Sequence, residues 1–159
     1  MFDRVLGIPA HPLYIHAAVV LVPLLVLTAV LYAIWPGSRR HIRWPLVAFA
    51  LATPGATFFA KESGESFSTN PAFQAPAMKA LVAEHSDYAD MLFLLVLGLA
   101  VVALAMAFVI PAGGGKARVN APAAAHWVLA GLAVVLAGAS MYYVYRTGDT
   151  GAHMVWSNF

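Results

Sequence analysis

The groups on this chain that could do chemistry are six histidines and seven carboxylates. They are unevenly placed. His11 and His16 open a charge-free apolar run, His85 stands just ahead of another, and His153 lies near the C-terminus. Glu65 and Asp149 fall in short polar stretches beside those runs. Neutral imidazoles suit two kinds of chemistry. Two of them facing each other can hold the iron of a b-type haem from above and below. With carboxylates, they can instead hold zinc, copper or iron, according to geometry. Glu65, Asp87 and Asp149 could also accept the second ring N–H and so fix the tautomer. The chain has no cysteine, which excludes disulfides, Cys-ligated iron–sulfur clusters and haem attached through Cys-x-x-Cys-His.

Composition says where these groups must sit. Of 159 residues, 62% are hydrophobic and only 10% charged, with a mean hydropathy of +0.78. A soluble domain keeps roughly a quarter of its residues charged. This chain is expected to be an integral membrane protein with the lipid bilayer as its solvent. A net charge of +2, with the basic residues in loops rather than in a stripe, argues against nucleic acid.

Four apolar segments approach the roughly 20 residues that cross a hydrocarbon core: 12–35, 42–60, 88–110 and 123–145. The expected fold is therefore all-α, a single domain over 1–159, forming an up-down four-helix transmembrane bundle. The first segment lacks the basic leader and small-residue cleavage site of a signal peptide. Four spans put both termini on one side, X, and loops 36–41 and 111–122 on the other, Y. Arg39, Arg40, Arg43, Lys116 and Arg118 cluster at Y, whereas all seven acids fall at X. The positive-inside rule makes Y cytoplasmic and both termini external. Trp35, Trp44 and Trp127 fall at the Y ends, as an aromatic belt would. His41, within Arg39-Arg40-His41-Ile42-Arg43, belongs to a patch suited to anionic lipid.

The connections are informative too. Gly113-Gly114-Gly115-Lys116 lacks the Ser or Thr and the preceding strand of a phosphate loop, and reads as a flexible linker. Residues 76–87, with Met78, Leu81 and Val82 at helical spacing, read as an amphipathic lead-in continuous with the third span. That places His85 on a formed helix. Pro23 and Pro54-Gly55 should kink spans 1 and 2. Ala130, Ala133, Ala137 and Ser140 form a small-residue stripe on span 4, which permits close helix approach or leaves room for a flat cofactor.

Sorting the histidines by side gives His11, His16, His85 and His153 at X. In an up-down bundle spans 1 and 3 are diagonal and parallel. His16 and His85, near the X ends of that pair, are the expected haem ligands, with Glu65 and Asp149 in support. The alternative is a metal site drawn from His11, His16, His85 and His153 with Glu65 and Asp149. His11 and His16 are five apart, about 140° in azimuth on one helix, so they would not chelate together within it. A third reading is an accessory or scaffolding subunit whose X-side polar groups hold loops, the histidines being polar tips at headgroup level. A transporter is disfavoured, because no internal repeat is evident and no charge lies at the bilayer midplane.

Several stretches together carry a resemblance: Leu6-Gly-Ile-Pro-Ala-His-Pro-Leu-Tyr-Ile-His16, Glu62-Ser-Gly-Glu65, Glu84-His85, and residues 146–156 from Arg146 to Trp156. The chain resembles the bacterial four-span membrane family known as domain-of-unknown-function family 2231, over nearly its whole length. All four stretches lie on side X. The resemblance implies a bacterial cytoplasmic membrane protein with its site facing outside. Relatives joined to Rieske iron–sulfur domains imply a link to electron transfer with a periplasmic or membrane redox partner. On that basis an electron carrier or subunit is expected rather than an independent enzyme. Some relatives have His where this chain has Asp149, which implies a metal-ligand or supporting role for that carboxylate. His153 is outside the family's motif positions.

Overall fold

The computed structural model describes residues 4–110, 112 and 123–156. The glycine-rich linker read at 113–115 and the cations Lys116 and Arg118 lie outside the described residues. Four long helices make up the fold: α1 (Ala10–Ile34), α2 (Arg39–Ser68), α3 (Pro76–Val109) and α4 (Ala123–Trp156). Ahead of them among the described residues is a two-residue antiparallel bridge, β1 (Arg4–Val5) with β2 (Ile8–Pro9). Leu6 and Gly7 close it with φ of 51° and 84°. Two consecutive left-handed residues match the twist of a tight hairpin, and glycine at the second removes one steric cost.

The helix limits follow from local chemistry. Pro76 starts α3 after an extended Ala75, where its missing N–H costs nothing. The lead-in and the third apolar segment are one uninterrupted helix. Between α1 and α2 a single 3₁₀ turn, Pro36–Ser38, suffices. There Ser38 Oγ donates to the carbonyls of Trp35 (2.8 Å) and Leu31 (3.3 Å), adding to the backbone bonds that these oxygens accept from Ser38 N and Trp35 N. Helices α1 and α2 run on through Pro23 and through Pro45 and Pro54.

Packing is sequential around a ring: α1 lies on α2 and α4, α3 lies on α2 and α4, and α1 and α3 are diagonal. The core runs along the axis through Val22 and Leu25 of α1, Leu46 and Ala50 of α2, Leu99 and Met106 of α3, and Ala133 and Ala137 of α4. The stripe on α4 is covered by its neighbours, with Ala133 and Ser140 wholly buried. Its small side chains therefore serve close helix approach in this packing. Thr53, Thr57 and Thr28, buried in the apolar interior, each return their hydroxyl proton to a carbonyl of their own helix.

Three helices, Ala10–Ile34, Pro76–Val109 and Ala124–Trp156, are long and apolar enough to cross a membrane. Their outward faces present Val20, Leu27, Leu94, Val101, Val128 and Val135. A soluble surface does not carry such faces. The protein is a multi-pass membrane protein.

One end, Y, is sealed by polar contacts between helix termini. Buried Arg39 donates from Nε to the Tyr32 carbonyl (2.8 Å) and from Nη2 to that of Ala33 (3.1 Å), satisfying the last carbonyls of α1. The Tyr32 hydroxyl donates to the Ile110 carbonyl (3.0 Å), tying α1 to the end of α3. His126 stands 3.4 Å from Arg39 Nη2 and against the edge of Trp127.

Candidate functional site at end X

End X holds the first turns of α1, the last turns of α2, the early turns of α3 and the last turns of α4. His11 lies seven residues before Ala18, two helical turns away on the same face, and that face looks into the bundle. His11 is accordingly half-buried. Its Nδ1 is 3.1 Å from the Ala60 carbonyl and 3.1 Å from Ser63 Oγ. A carbonyl can only accept, so Nδ1 carries the proton. Ser63 Oγ is free to accept as well, because its own proton goes to the Ala60 carbonyl at 2.9 Å. The Cε1 corner of the ring meets the backbone of Gly64, where an added Cβ would lie 2.9 Å from Cε1. Phe67 stacks on it at 5.9 Å between centroids.

His85 is seated in the same manner on α4. Its Nδ1 is 3.1 Å from Thr150 Oγ1. Thr150 Oγ1 lies within donating distance of the carbonyls of Arg146 (2.9 Å) and Thr147 (3.2 Å), and with its proton on either of them it accepts from the ring. In that arrangement Nδ1 of His85 carries the proton. A Cβ at Gly151 would lie 3.3 Å from His85 Cε1. His11 and His85 lie within electrostatic range of each other. Both rings thus present Nε2 as a bare lone pair, and among the described residues neither Nε2 has a hydrogen-bond partner. Anchoring one ring nitrogen through a donated N–H is how ligating histidines hold orientation and tautomer.

The other expected site residues are placed differently. His16 is exposed: its azimuth on α1 turns it away from the core, and Nδ1 donates to the carbonyl of Pro12 one turn back. Glu65 pairs with Lys61 of the same helix. Asp149 pairs with His153 one turn on, at 3.7 Å. The ring partners of His11 and His85 are hydroxyls and backbone carbonyls, and no carboxylate bonds to them among the described residues. The metal set of His11, His16, His85 and His153 is not gathered. Among the described residues no group of three or more His, Cys, Asp or Glu could hold one ion.

Two cation clasps frame the site. Lys61 of α2 reaches Asp90 of α3 at 3.4 Å as well as Glu62 at 3.8 Å and Glu65. Glu65 and, further off, Asp90 hold the Lys61 ammonium above the ordinary lysine range. Arg146 of α4 donates to Glu84 (3.3 Å) and to the Tyr88 hydroxyl, and its guanidinium lies 4.7 Å over the Tyr88 ring. Both clasps close on α3, fixing its early turns between α2 and α4.

Ser63, Gly64, Thr150 and Gly151 are the residues that reading by side chain type passes over. The signal was present as hydroxyl–glycine pairs following an acid, Glu62-Ser63-Gly64 and Asp149-Thr150-Gly151. Comparison with known protein families, curated proteins and solved structures gave no match to this chain.

Proposed function

We propose that this protein is a small membrane-embedded haem carrier, binding one b-type haem at end X through Nε2 of His11 and His85. The observation that carries the reading is the common state of those two rings, each pinned through Nδ1 with Nε2 bare. The reading keeps His85 and takes His11 in place of His16, because His11 faces the bundle and His16 faces away. The size of the donor set favours haem over a bare ion. A zinc, copper or iron ion draws three or more ligands from protein, whereas haem brings four nitrogens and asks for two.

When bound, haem supplies a one-electron ferric–ferrous couple, served by a membrane or periplasmic redox partner. The chain's own residues orient the ligands. Ser63 and Ala60 hold the His11 ring, Thr150 holds that of His85, and Lys61 and Arg146 brace α3, which carries His85, against α2 and α4. In this reading α2 is the fourth span, 42–60 within it being the crossing segment. The Arg-rich turn at Y faces the cytoplasm and end X faces outward. Such an arrangement, with the stretches quoted above, accords with a bacterial four-span family linked to electron transfer.

The test is a reduced-minus-oxidised absorption spectrum of protein purified from cells supplied with haem precursor. A Soret band with sharp α and β bands, at one haem per chain, is expected. A colourless protein overturns the reading.

A further inference from the structure

The two halves of the chain match at the level of buried positions. Ala18, Val22, Leu25, Ala29 and Ala33 form the core stripe of α1. A constant step of 74 residues turns them into Leu92, Val96, Leu99, Ala103 and Ala107, the core stripe of α3. The same step takes His11 to His85 and Tyr14 to Tyr88. On the second helices a step of 87 turns Leu46, Ala50, Thr53 and Ser63 into Ala133, Ala137, Ser140 and Thr150, all of them buried. It also takes Glu62 to Asp149 and Gly64 to Gly151. Tyr14 stacks on Phe59 of α2 (5.6 Å), and the step of 87 takes Phe59 to Arg146, whose guanidinium lies 4.7 Å over the Tyr88 ring. The repeat is invisible to residue identity over most of its length, because apolar positions exchange freely so long as volume and pattern are kept. Burial reveals it.

We infer that the chain is an internal duplication of one helical hairpin, and that end X is one site built from two equivalent half-sites, His11–Ser63–Gly64 and His85–Thr150–Gly151. In each, the first helix supplies an imidazole. The second helix supplies a hydroxyl that accepts from Nδ1, a carbonyl three residues earlier, and a glycine that lets the ring lie on the backbone. The Thr147 carbonyl lies on the side of α4 that faces His85, the position that on α2 is held by the Ala60 carbonyl bonded to His11. Because α1 and α3 are diagonal, the half-sites are related by a pseudo-two-fold axis along the bundle. Such a pair fits an acceptor with two equivalent open positions on opposite faces, the geometry of a metal held in a planar ring. The inference rests on the proposed function for what the site holds, but not for how it is built. Ser63 and Thr150 are positioning residues.

The test uses full-length protein with ¹⁵N-labelled histidine, purified in detergent without haem, and long-range ¹H–¹⁵N spectra of the rings. His11 and His85 are expected in one tautomer, Nδ1 protonated and Nε2 bare. Ser63→Ala should shift the ring resonances of His11 alone, with the Ala60 carbonyl still fixing its tautomer, Thr150→Ala should shift those of His85 alone, and the exchanges Ser63→Thr and Thr150→Ser should leave both rings as they were. Rings in different tautomers, a Thr150→Ala effect as large on His11 as on His85, or loss of the tautomer in both exchange variants would overturn the equivalence. Absence of haem binding would overturn the proposed function and leave these spectra to decide the half-sites.

Discussion

The imidazole of His11 rests on the backbone of Gly64: a Cβ added there would come within 2.9 Å of Cε1. That contact joins the first turn of α1 to the last turns of α2, and it gives glycine a role that helix propensity alone would deny it. Glycine inside a helix costs about 1 kcal/mol relative to alanine. Position 64 therefore forgoes stability to keep a ring in place.

Substituting glycines around end X separates these effects. A Cβ added at Gly148 would meet no atom within 4 Å, so Gly148→Ala should stabilise the helix by roughly 0.5–1 kcal/mol. Gly64→Ala should instead cost about 1–3 kcal/mol, because the His11 ring must shift. Gly151→Ala, meeting His85 at 3.3 Å, should fall between them. Thermal unfolding in detergent reads all three, and a stabilised Gly64→Ala would refute the seat.

The opposite end offers a single-atom test. Tyr32 is wholly buried and its hydroxyl donates to the Ile110 carbonyl. Tyr32→Phe keeps the ring and strips that carbonyl of its partner, at an expected cost of about 1–3 kcal/mol. An unchanged midpoint would mean that the bond from α1 to the end of α3 contributes nothing.

Lys61 gives a pH dependence of definite sign. Its pKa is raised in the folded protein, chiefly by Glu65 and then by Asp90. The contribution is thus complete below the unfolded lysine value of about 10.4 and is lost as pH climbs through the raised folded value. Between about pH 6 and about 9, wild type and Lys61→Met should differ by a constant amount. Because the carboxylates are half-exposed, that amount should be small, on the order of 1 kcal/mol or less. A difference that grows toward acid within that range would contradict the assignment.

Much of the fold was legible because membrane-crossing helices announce themselves through long apolar runs. The histidines could be sorted to one end because alternating spans fix sides. What could not be read was which way α1 faces. Its surface is apolar all round from Ala17 to Ile34, so no polar stripe marks the side away from the core. The orientation of His11 and His16 depends on that phase, and the burial of Ala18, Val22 and Leu25 turns His11 toward the bundle and His16 away from it. The supporting groups were hidden for another reason. Carboxylates are the expected partners of the rings, but Glu65 pairs with Lys61 and Asp149 lies beside His153 at 3.7 Å, and the rings meet the hydroxyls of Ser63 and Thr150 instead. The bridge before α1 was equally unmarked, since it requires a left-handed leucine at position 6.

His11 and His85, and not His16, are the proposed haem ligands at end X. The most direct measurement is the reduced-minus-oxidised haem spectrum of three single variants, His11→Ala, His85→Ala and His16→Ala, at matched protein concentration. The expected result is loss of the six-coordinate spectrum in the first two and retention in the third. Retention in His11→Ala together with loss in His16→Ala would contradict it.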